Sequence, residues 1–215
     1  MINFNNKKYI IFDFNGTIID DVDLCLEALN MLLEYNGKPK CSYDKYKHIF
    51  TFPIRKYYEL AGFDFNKHSY EHLAHIFIDY YQDRSLDCSL YPNSIETFKY
   101  LIDKGYTLII LSASKLDNLL EQVNHFKIAK YFNYILGTSD IYAYSKVQIG
   151  INFMKENNIN HDEVMMIGDT LHDHEVACEM GIDGILTSSG HQAKDVLEKA
   201  NTVILDSISD LTKIL

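Results

Sequence analysis

The feature that most constrains this chain is a broken alternation. Short apolar runs alternate with helical patterns at its start and again from residue 91 onward, but residues 20–90 carry helical periodicity alone. Lys8–Phe14 (KYIIFDF) is apolar on both faces, as a strand buried inside a parallel sheet must be. Val22–Tyr35 then places Val22, Cys25, Leu26, Leu29, Leu32 and Leu33 three and four apart, which makes one helical stripe. Asp21 is its expected N-cap, and Gly37 suits its end. Tyr43–Phe50 reads as a short helix. Pro53 fits the first turn of another that ends at Gly62, and Asn66 is the expected cap of a long one reaching Arg84. In that last helix Leu73, Ile76, Phe77 and Tyr80 form the expected buried stripe.

From Tyr91-Pro92-Asn93, which opens a helix ending near Gly105, the alternation returns. Strands are expected at 107–112 (TLIILS), 134–137, 163–167 (EVMMI), 184–187 and 202–205, with helices at 116–126, 146–157, 172–180 and 193–200. Strands alternating with helices imply an α/β fold, a doubly wound parallel sheet with a Rossmann-like core. The expected division is a core of residues 1–19 and 91–215, interrupted by an inserted all-helical domain of residues 20–90.

Composition narrows the partners. The 215 residues hold 20 basic and 30 acidic side chains, a net charge of −10, which argues against nucleic acid or an anionic membrane. A small anionic substrate remains compatible, because a local site can be positive. Cys25, Cys41, Cys88 and Cys178 form no Cys-x-x-Cys; Cys25 and Cys178, on apolar stretches, read as small core hydrophobes, and a reducing compartment is expected. The N-terminal segment has no signal-peptide layout, and no apolar run approaches the roughly 20 residues that span a bilayer. The expectation is a cytoplasmic protein, monomer or homodimer.

In such sheets ligands bind beyond the carboxyl ends of the strands. The first strand ends in Asp13-Phe14-Asn15-Gly16-Thr17, the second in Ser112, and the 163–167 strand in Gly168-Asp169-Thr170-Leu171-His172-Asp173, while Lys146 opens a helix between them. Carboxylates at strand ends make a hard-oxygen site suited to Mg²⁺. A Lys beside them can neutralise a phosphoryl group, and an Asp so placed can be a nucleophile. Taken singly, Ser112 could be an N-cap, Lys146 a solvated helix residue, and Asp173 a carboxylate favoured by a helix dipole. Only the joint pattern points to phosphoryl chemistry.

DFNGT, LIILS, Lys146 and GDTLHD, in this order, resemble the four motifs of the haloacid dehalogenase-like hydrolase superfamily. The resemblance covers the whole chain, and the helical insert lies where that family carries its cap. LYPNSIETFKYL is similar to the cap-to-core return of phosphoglycolate phosphatase-like and phosphomutase-like members. The resemblance implies that Asp13 is the nucleophile and that Lys146 bridges it to the phosphoryl group. It implies phosphate binding by Ser112, Ala113 and the Asn15-Gly16-Thr17 loop. It implies Mg²⁺ held by Asp13, the Asn15 carbonyl and Asp169, with Asp173 supporting the metal shell or holding Lys146. In the insert, Arg55 and Lys56 could reach an anionic substrate, and Tyr57 or Tyr58 could shape the pocket. His172 and His174 are two apart on a helix and so point in different directions, against a second metal site.

Asn15 departs from the family pattern, which has an acid–base Asp there. An amide cannot shuttle a proton at neutral pH, and losing a general acid–base costs ~10²–10⁴ in rate. The readings left open are a substitute proton carrier, or a substrate with a good leaving group such as an acyl phosphate. Phosphonoacetaldehyde hydrolase-like C–P cleavage through a Schiff base, with Lys56 as a candidate, is another, and a binder of a phosphorylated metabolite without turnover is the last. Asn15-Gly16 is also a deamidation sequence, which an ordered loop would protect.

Overall fold

The computed structural model describes residues 2–139 and 146–215. At its centre lies β1 (Tyr9–Phe12), whose four residues pair in parallel on both sides. The chain then forms β2 (Ile19–Asp20) and four consecutive helices, α1 (Val22–Tyr35), α2 (Tyr43–Ile49), α3 (Ile54–Ala61) and α4 (Tyr70–Ser85). It returns through β3 (Ser89–Leu90), which pairs antiparallel with β2, and then α5 (Ser94–Asp103). β4 (Thr107–Lys115), α6 (Leu116–His125), β5 (Tyr134–Thr138), α7 (Lys146–Glu156), β6 (Val164–Gly168) and α8 (Leu171–Glu179) restore the alternation. β7 (Asp183–Thr187), α9 (Lys194–Leu197), β8 (Ile204–Leu205) and α10 (Leu211–Ile214) complete it.

The six-stranded sheet runs β5-β4-β1-β6-β7-β8, all parallel. Successive residues of β1 serve opposite faces, as the strand period requires. Ile10 and Phe12 join Phe98 of α5, Leu119 of α6 and Leu211 of α10 in one apolar cluster. Ile11 joins Val147 of α7 and Val176 of α8 in another. The α/β doubly wound core therefore has two apolar layers around one sheet. The helical segment has its own cluster, centred on Leu29, Leu32 and Leu33 of α1, Tyr46 of α2 and Leu73 of α4.

Several local expectations need correction. The pair β2/β3 closes the two connections into and out of the helical segment; two residues are too few to show a period. Helix α4 is capped by Ser69, whose hydroxyl accepts from His72 N at 3.2 Å, and not by Asn66. The Asn66 backbone N–H instead donates to Asp64 Oδ1 at 3.1 Å, a local turn that competes with a cap. Along α4, Leu73 is buried and Ile76 and Phe77 pack half-buried against the same cluster as expected, joined by Ala74 and Tyr81, while Tyr80 is half-exposed and donates to Glu27. Strand β4 runs three residues beyond Ser112, so that hydroxyl caps no helix. Asp21 precedes α1 but makes no capping hydrogen bond; its carboxylate is committed elsewhere. Among the described residues no helix is long and apolar enough to cross a membrane.

Candidate active site

Two strand ends and two helix starts meet at a single point. Asp13 follows β1, and its N–H continues the ladder to Ile167 O at 2.8 Å. Asp169 follows β6, and Asp173 sits in the first turn of α8. Lys146 is the first residue of α7, yet it is 3 % exposed. A cation at a helix N-terminus opposes the helix dipole, so its placement needs a compensating partner. It has two: Lys146 Nζ donates to Asp13 Oδ1 at 2.7 Å and to Asp173 Oδ1.

Asp173 is fixed from behind. Its Oδ2 accepts from Asp169 N at 3.2 Å, Thr170 N at 3.0 Å and Thr170 Oγ1 at 2.7 Å, within a capping box. Helix capping and ammonium holding are therefore one function of one side chain. Asp169 Oδ1 accepts from Thr17 Oγ1 at 3.1 Å, and its Oδ2 accepts from His191 N at 2.6 Å. Glycines make the packing possible: a Cβ at Gly16, whose φ is +71°, would lie 2.4 Å from Asp169 Oδ2.

Charge balance decides what this floor can hold. Asp13, Asp169 and Asp173 offer oxygens within 4.8 Å of one another; one ammonium, Lys146, pairs with Asp13 and Asp173, while Asp169 accepts from the His191 N–H. Burial pushes the Asp13 carboxyl up to about 8; Lys146 opposes this, and the Asp173 and Asp169 charges reinforce it. Burial likewise lifts Asp169 to about 6, against the pull of His191. Lys146 is lifted by Asp13 and Asp173 despite burial, and Asp173 is held below its ordinary value by Lys146 despite burial. A hard divalent cation fits such an oxygen set with excess negative charge.

Asn15 is locked. Its Nδ2 donates to Asp21 Oδ2 at 3.0 Å and to Tyr81 Oη at 2.7 Å, and its Oδ1 accepts from Ser114 Oγ at 2.9 Å. The Gly16 N–H donates to Asp21 Oδ1 at 2.9 Å and to Ile19 O at 3.1 Å. That nitrogen is the one that would attack Asn15 in deamidation, and it is engaged twice. Asp21 also accepts from Tyr81 Oη at 2.6 Å and faces His191 Nε2 at 3.2 Å, while His191 Nδ1 meets Tyr46 Oη at 2.7 Å. Burial would lower His191, but Asp21 holds it up at about 9. Burial would raise Asp21, but His191, Tyr81 and Asn15 hold it below its ordinary value. Asp21, Cys25 and His191 lie within 4.8 Å, but both imidazole nitrogens are already engaged, which leaves no histidine lone pair for a metal.

A cavity of about 190 Å³ opens above this floor, with Asp13, Asn15, Ser112, Ala113, Lys146, Asp169 and Asp173 on its wall. The register of β4 against β5 slips between Leu111 and Lys115, and this irregularity covers Ser112 to Ser114, all three of which face the cavity. Other expected residues are placed differently. Gly16 and Thr17 lie behind Asp169 and do not line the cavity. Arg55 is exposed, 3.4 Å from Glu59 and over the Phe65 ring, and Lys56 is exposed too; neither lines the cavity. An exposed face of α3 suits long charged side chains, whose solvation a buried wall would remove. Tyr57 and Tyr58 do line it. His172 stacks on Phe52 at 4.4 Å, whereas His174 Nε2 meets Cys178 Sγ at 3.5 Å, so the two rings diverge. Asp21, Tyr46, Tyr81 and His191 were not foreseen. His191 stands in the turn after β7, where the strand-end rule would have found it; Asp21 was hidden by a plausible capping role.

A parallel sheet with clustered carboxylates and a buried lysine at its carboxyl edge, roofed by helices, fits a phosphatase with a doubly wound α/β core. The family model for haloacid dehalogenase-like hydrolases matches residues 10–187, and the chain belongs to that family. It is 22 % identical over 212 residues to phosphoglycolate phosphatase 1 of Pseudomonas aeruginosa, covering 95 % of this chain and 78 % of that one. It is 23 % identical over 201 residues to the tyrosine-protein kinase PtkA of Mycobacterium tuberculosis, covering 93 % and 68 %. Among solved structures, a predicted phosphatase from Clostridium acetobutylicum superposes with a TM-score of 0.81 at 22 % identity, covering 97 % of each chain.

Proposed function

We propose that this chain hydrolyses small phosphate monoesters with Mg²⁺ bound, forming an aspartyl phosphate on Asp13. The single observation that carries this is the Lys146 ammonium, buried between Asp13 and Asp173 on the floor of the cavity. Nothing structural requires a buried lysine there. A nucleophilic carboxylate approaching a dianionic phosphoryl group does, since it must be held and its charge offset.

Each residue then has a task. Asp13 supplies the attacking oxygen. Lys146 orients it and meets the phosphoryl oxygens, and Asp173 keeps Lys146 in place. Ser112 and the backbone near Ala113 bind the transferred group. The Asp13, Asp169 and Asn15 carbonyl oxygens would hold Mg²⁺, with Asp173 nearby; such an ion supplies charge neutralisation at the phosphoryl group. The helical segment, residues 20–90, acts as the cap that excludes water and selects substrate. A small phosphorylated metabolite, not nucleic acid or a membrane, is the substrate class that the net charge of −10 and the enclosed site support.

C–P cleavage through a Schiff base finds no support, because Lys146 is the one lysine lining the cavity among the described residues. The test is phosphate release from a panel of monoesters with Mg²⁺. Turnover should vanish in Asp13→Asn, and acid quench during turnover should trap phosphate on the native protein. A panel with no turnover, or an Asp13→Asn protein as active as the native one, overturns the reading.

A further inference from the structure

We infer that the leaving group is aromatic: this site takes aryl phosphates, esters of phenol-like alcohols, in preference to esters of carboxylated or sugar-like alcohols. The inference rests on the phosphatase reading above and names the substrate class of that site.

Two independent observations converge on it. The first is the wall opposite Asp13. The helical segment contributes Tyr46, Phe50, Tyr57, Tyr58, Phe77 and Tyr81, with aliphatic side chains between them. Apart from Asp21, which His191 faces at 3.2 Å, no residue of the segment that lines the cavity is charged. Arg55 and Lys56 point elsewhere, and residues 140–145, outside the described set, contain no Lys or Arg. An ionised carboxylate on the leaving group would thus be desolvated against rings, since the two cations that line the cavity are already engaged, Lys146 by Asp13 and Asp173 and both ring nitrogens of His191 by Asp21 and Tyr46. An aryl ring would meet edges and faces of its own kind. Tyr57 Oη is buried on this wall and makes no hydrogen bond, although the Tyr46 hydroxyl lies near it. A polar substituent on the ring would satisfy it.

The second observation is Asn15. Both of its amide hydrogens and its oxygen are engaged, by Asp21, Tyr81 and Ser114. Nothing at this position can hand a proton to the departing oxygen. A simple alcohol, like water, loses its proton near pH ~16 and leaves badly without help. A phenol loses it near pH ~10 and departs as the free anion. The wall selects a ring, and the locked amide tolerates only a leaving group that a ring stabilises.

The step balances without a further reactant. An Asp13 carboxylate oxygen bonds to phosphorus as the P–O(aryl) bond breaks. The aryloxide leaves with the bonding pair and takes a proton from solvent. Water then hydrolyses the aspartyl phosphate, restoring the Asp13 carboxylate and releasing inorganic phosphate.

The experiment uses the native chain with Mg²⁺ and has a kinetic and a binding arm. kcat/KM is measured for phenyl phosphate and for phosphoglycolate, and then along a series of ring-substituted phenyl phosphates. We expect phenyl phosphate to be favoured by ~10² or more, and kcat/KM to rise steeply as the phenol becomes more acidic. Calorimetry compares benzylphosphonate with 3-phosphonopropionate, non-hydrolysable counterparts of the two esters, with at least ~10-fold tighter binding expected for the aromatic one. Turnover with phosphoglycolate equal or preferred leaves the phosphatase reading standing and overturns this one. So does a rate indifferent to phenol acidity. If no ester turns over, the phosphatase reading falls. Tighter binding of benzylphosphonate then still supports the aromatic site, and its absence removes that too.

Discussion

The floor and the roof of the cavity are built on opposite principles. The floor is a set of charges at strand ends and helix starts, held by directional hydrogen bonds: Asp173 alone accepts from Lys146, Asp169 N, Thr170 N and Thr170 Oγ1. The roof is aromatic rings in mutual edge and tilted contacts, such as Tyr46 against Tyr57 at 5.9 Å and Phe50 against Tyr57 at 5.0 Å. Directional bonds fix atoms where a reaction needs them. Ring packing fixes a shape and a polarity, which is what substrate choice needs. Reaction type is thus written in the floor and specificity in the roof.

The sharpest way to break that comparison is to remove the proposed nucleophile with a side chain of the same shape. Asp13→Asn should lower turnover by about 10⁴-fold or more while leaving phosphonate binding with Mg²⁺ within about 10-fold of native. Loss of binding in proportion to turnover would show that floor and roof are not separable.

The second break is at Asn15. Asn15→Asp restores the family's usual acid–base residue, yet here it places a carboxylate against Asp21, which now accepts from Asn15 Nδ2 at 3.0 Å. The amide's donations are lost, and a half-buried anion meets the buried Asp21. We expect a cost of about 2–3 kcal/mol by urea denaturation, with a poor gain in activity. Adding Asp21→Asn should recover at least ~1 kcal/mol, as coupled neighbours do in a double-mutant cycle. Strict additivity of the two changes would contradict the direct contact.

The third concerns the metal. Asp13 is raised to about 8 and Asp169 to about 6, both chiefly by burial. A carboxyl raised in the folded state stabilises the fold below its unfolded value, about 4, and that stability is lost as pH rises through the folded value. The metal-free protein should therefore lose stability between about pH 4 and 8. A cation that favours the ionised forms offsets the loss, so Mg²⁺ should raise the melting temperature more at pH 8 than at pH 5. At about 100 times its Kd the stabilisation approaches ~2.7 kcal/mol. An equal rise at both pH values would exclude these carboxylates as the ligands.

Much of the core is legible in sequence because each element there carries its own signal. The α1 stripe gives Val22–Tyr35 directly, and β1 is apolar on both faces. Asp13, Lys146, Asp169 and Asp173 stand out because they interrupt such elements at strand ends and helix starts. What stayed hidden depends on distance in the chain. Asp21 has a sensible local role as a cap, and only folding brings it to His191, 170 residues on. Gly16 and Thr17 read as phosphate ligands, but Thr17 Oγ1 and the Gly16 N–H are turned to Asp169 and Asp21. Arg55 and Lys56 lie beside Tyr57, yet a helix turns neighbours through 100°, and only the tyrosine faces inward.

The smallest effects come from two adjacent tyrosines that test where roof and floor join. Tyr81 is buried, donates to Asp21 Oδ2 at 2.6 Å and accepts from Asn15 Nδ2 at 2.7 Å, so it ties α4 to the loop after β1. Tyr80, one residue earlier, donates to Glu27 on the surface and carries the Arg84 guanidinium at 3.9 Å from its ring. Both are Tyr→Phe removals of a single hydroxyl bonded to a carboxylate. Tyr81→Phe leaves a buried carboxylate and a buried amide each short of a partner, which should cost about 1–3 kcal/mol. It should also weaken phosphonate binding, because the latch holds Asn15 beside the proposed metal site. Tyr80→Phe returns Glu27 to water and should stay within about 0.5 kcal/mol of native, with binding unchanged. Equal costs for the two would mean that the hydroxyl at 81 is as replaceable by water as the one at 80, and that the helical segment is held over the site by its rings alone.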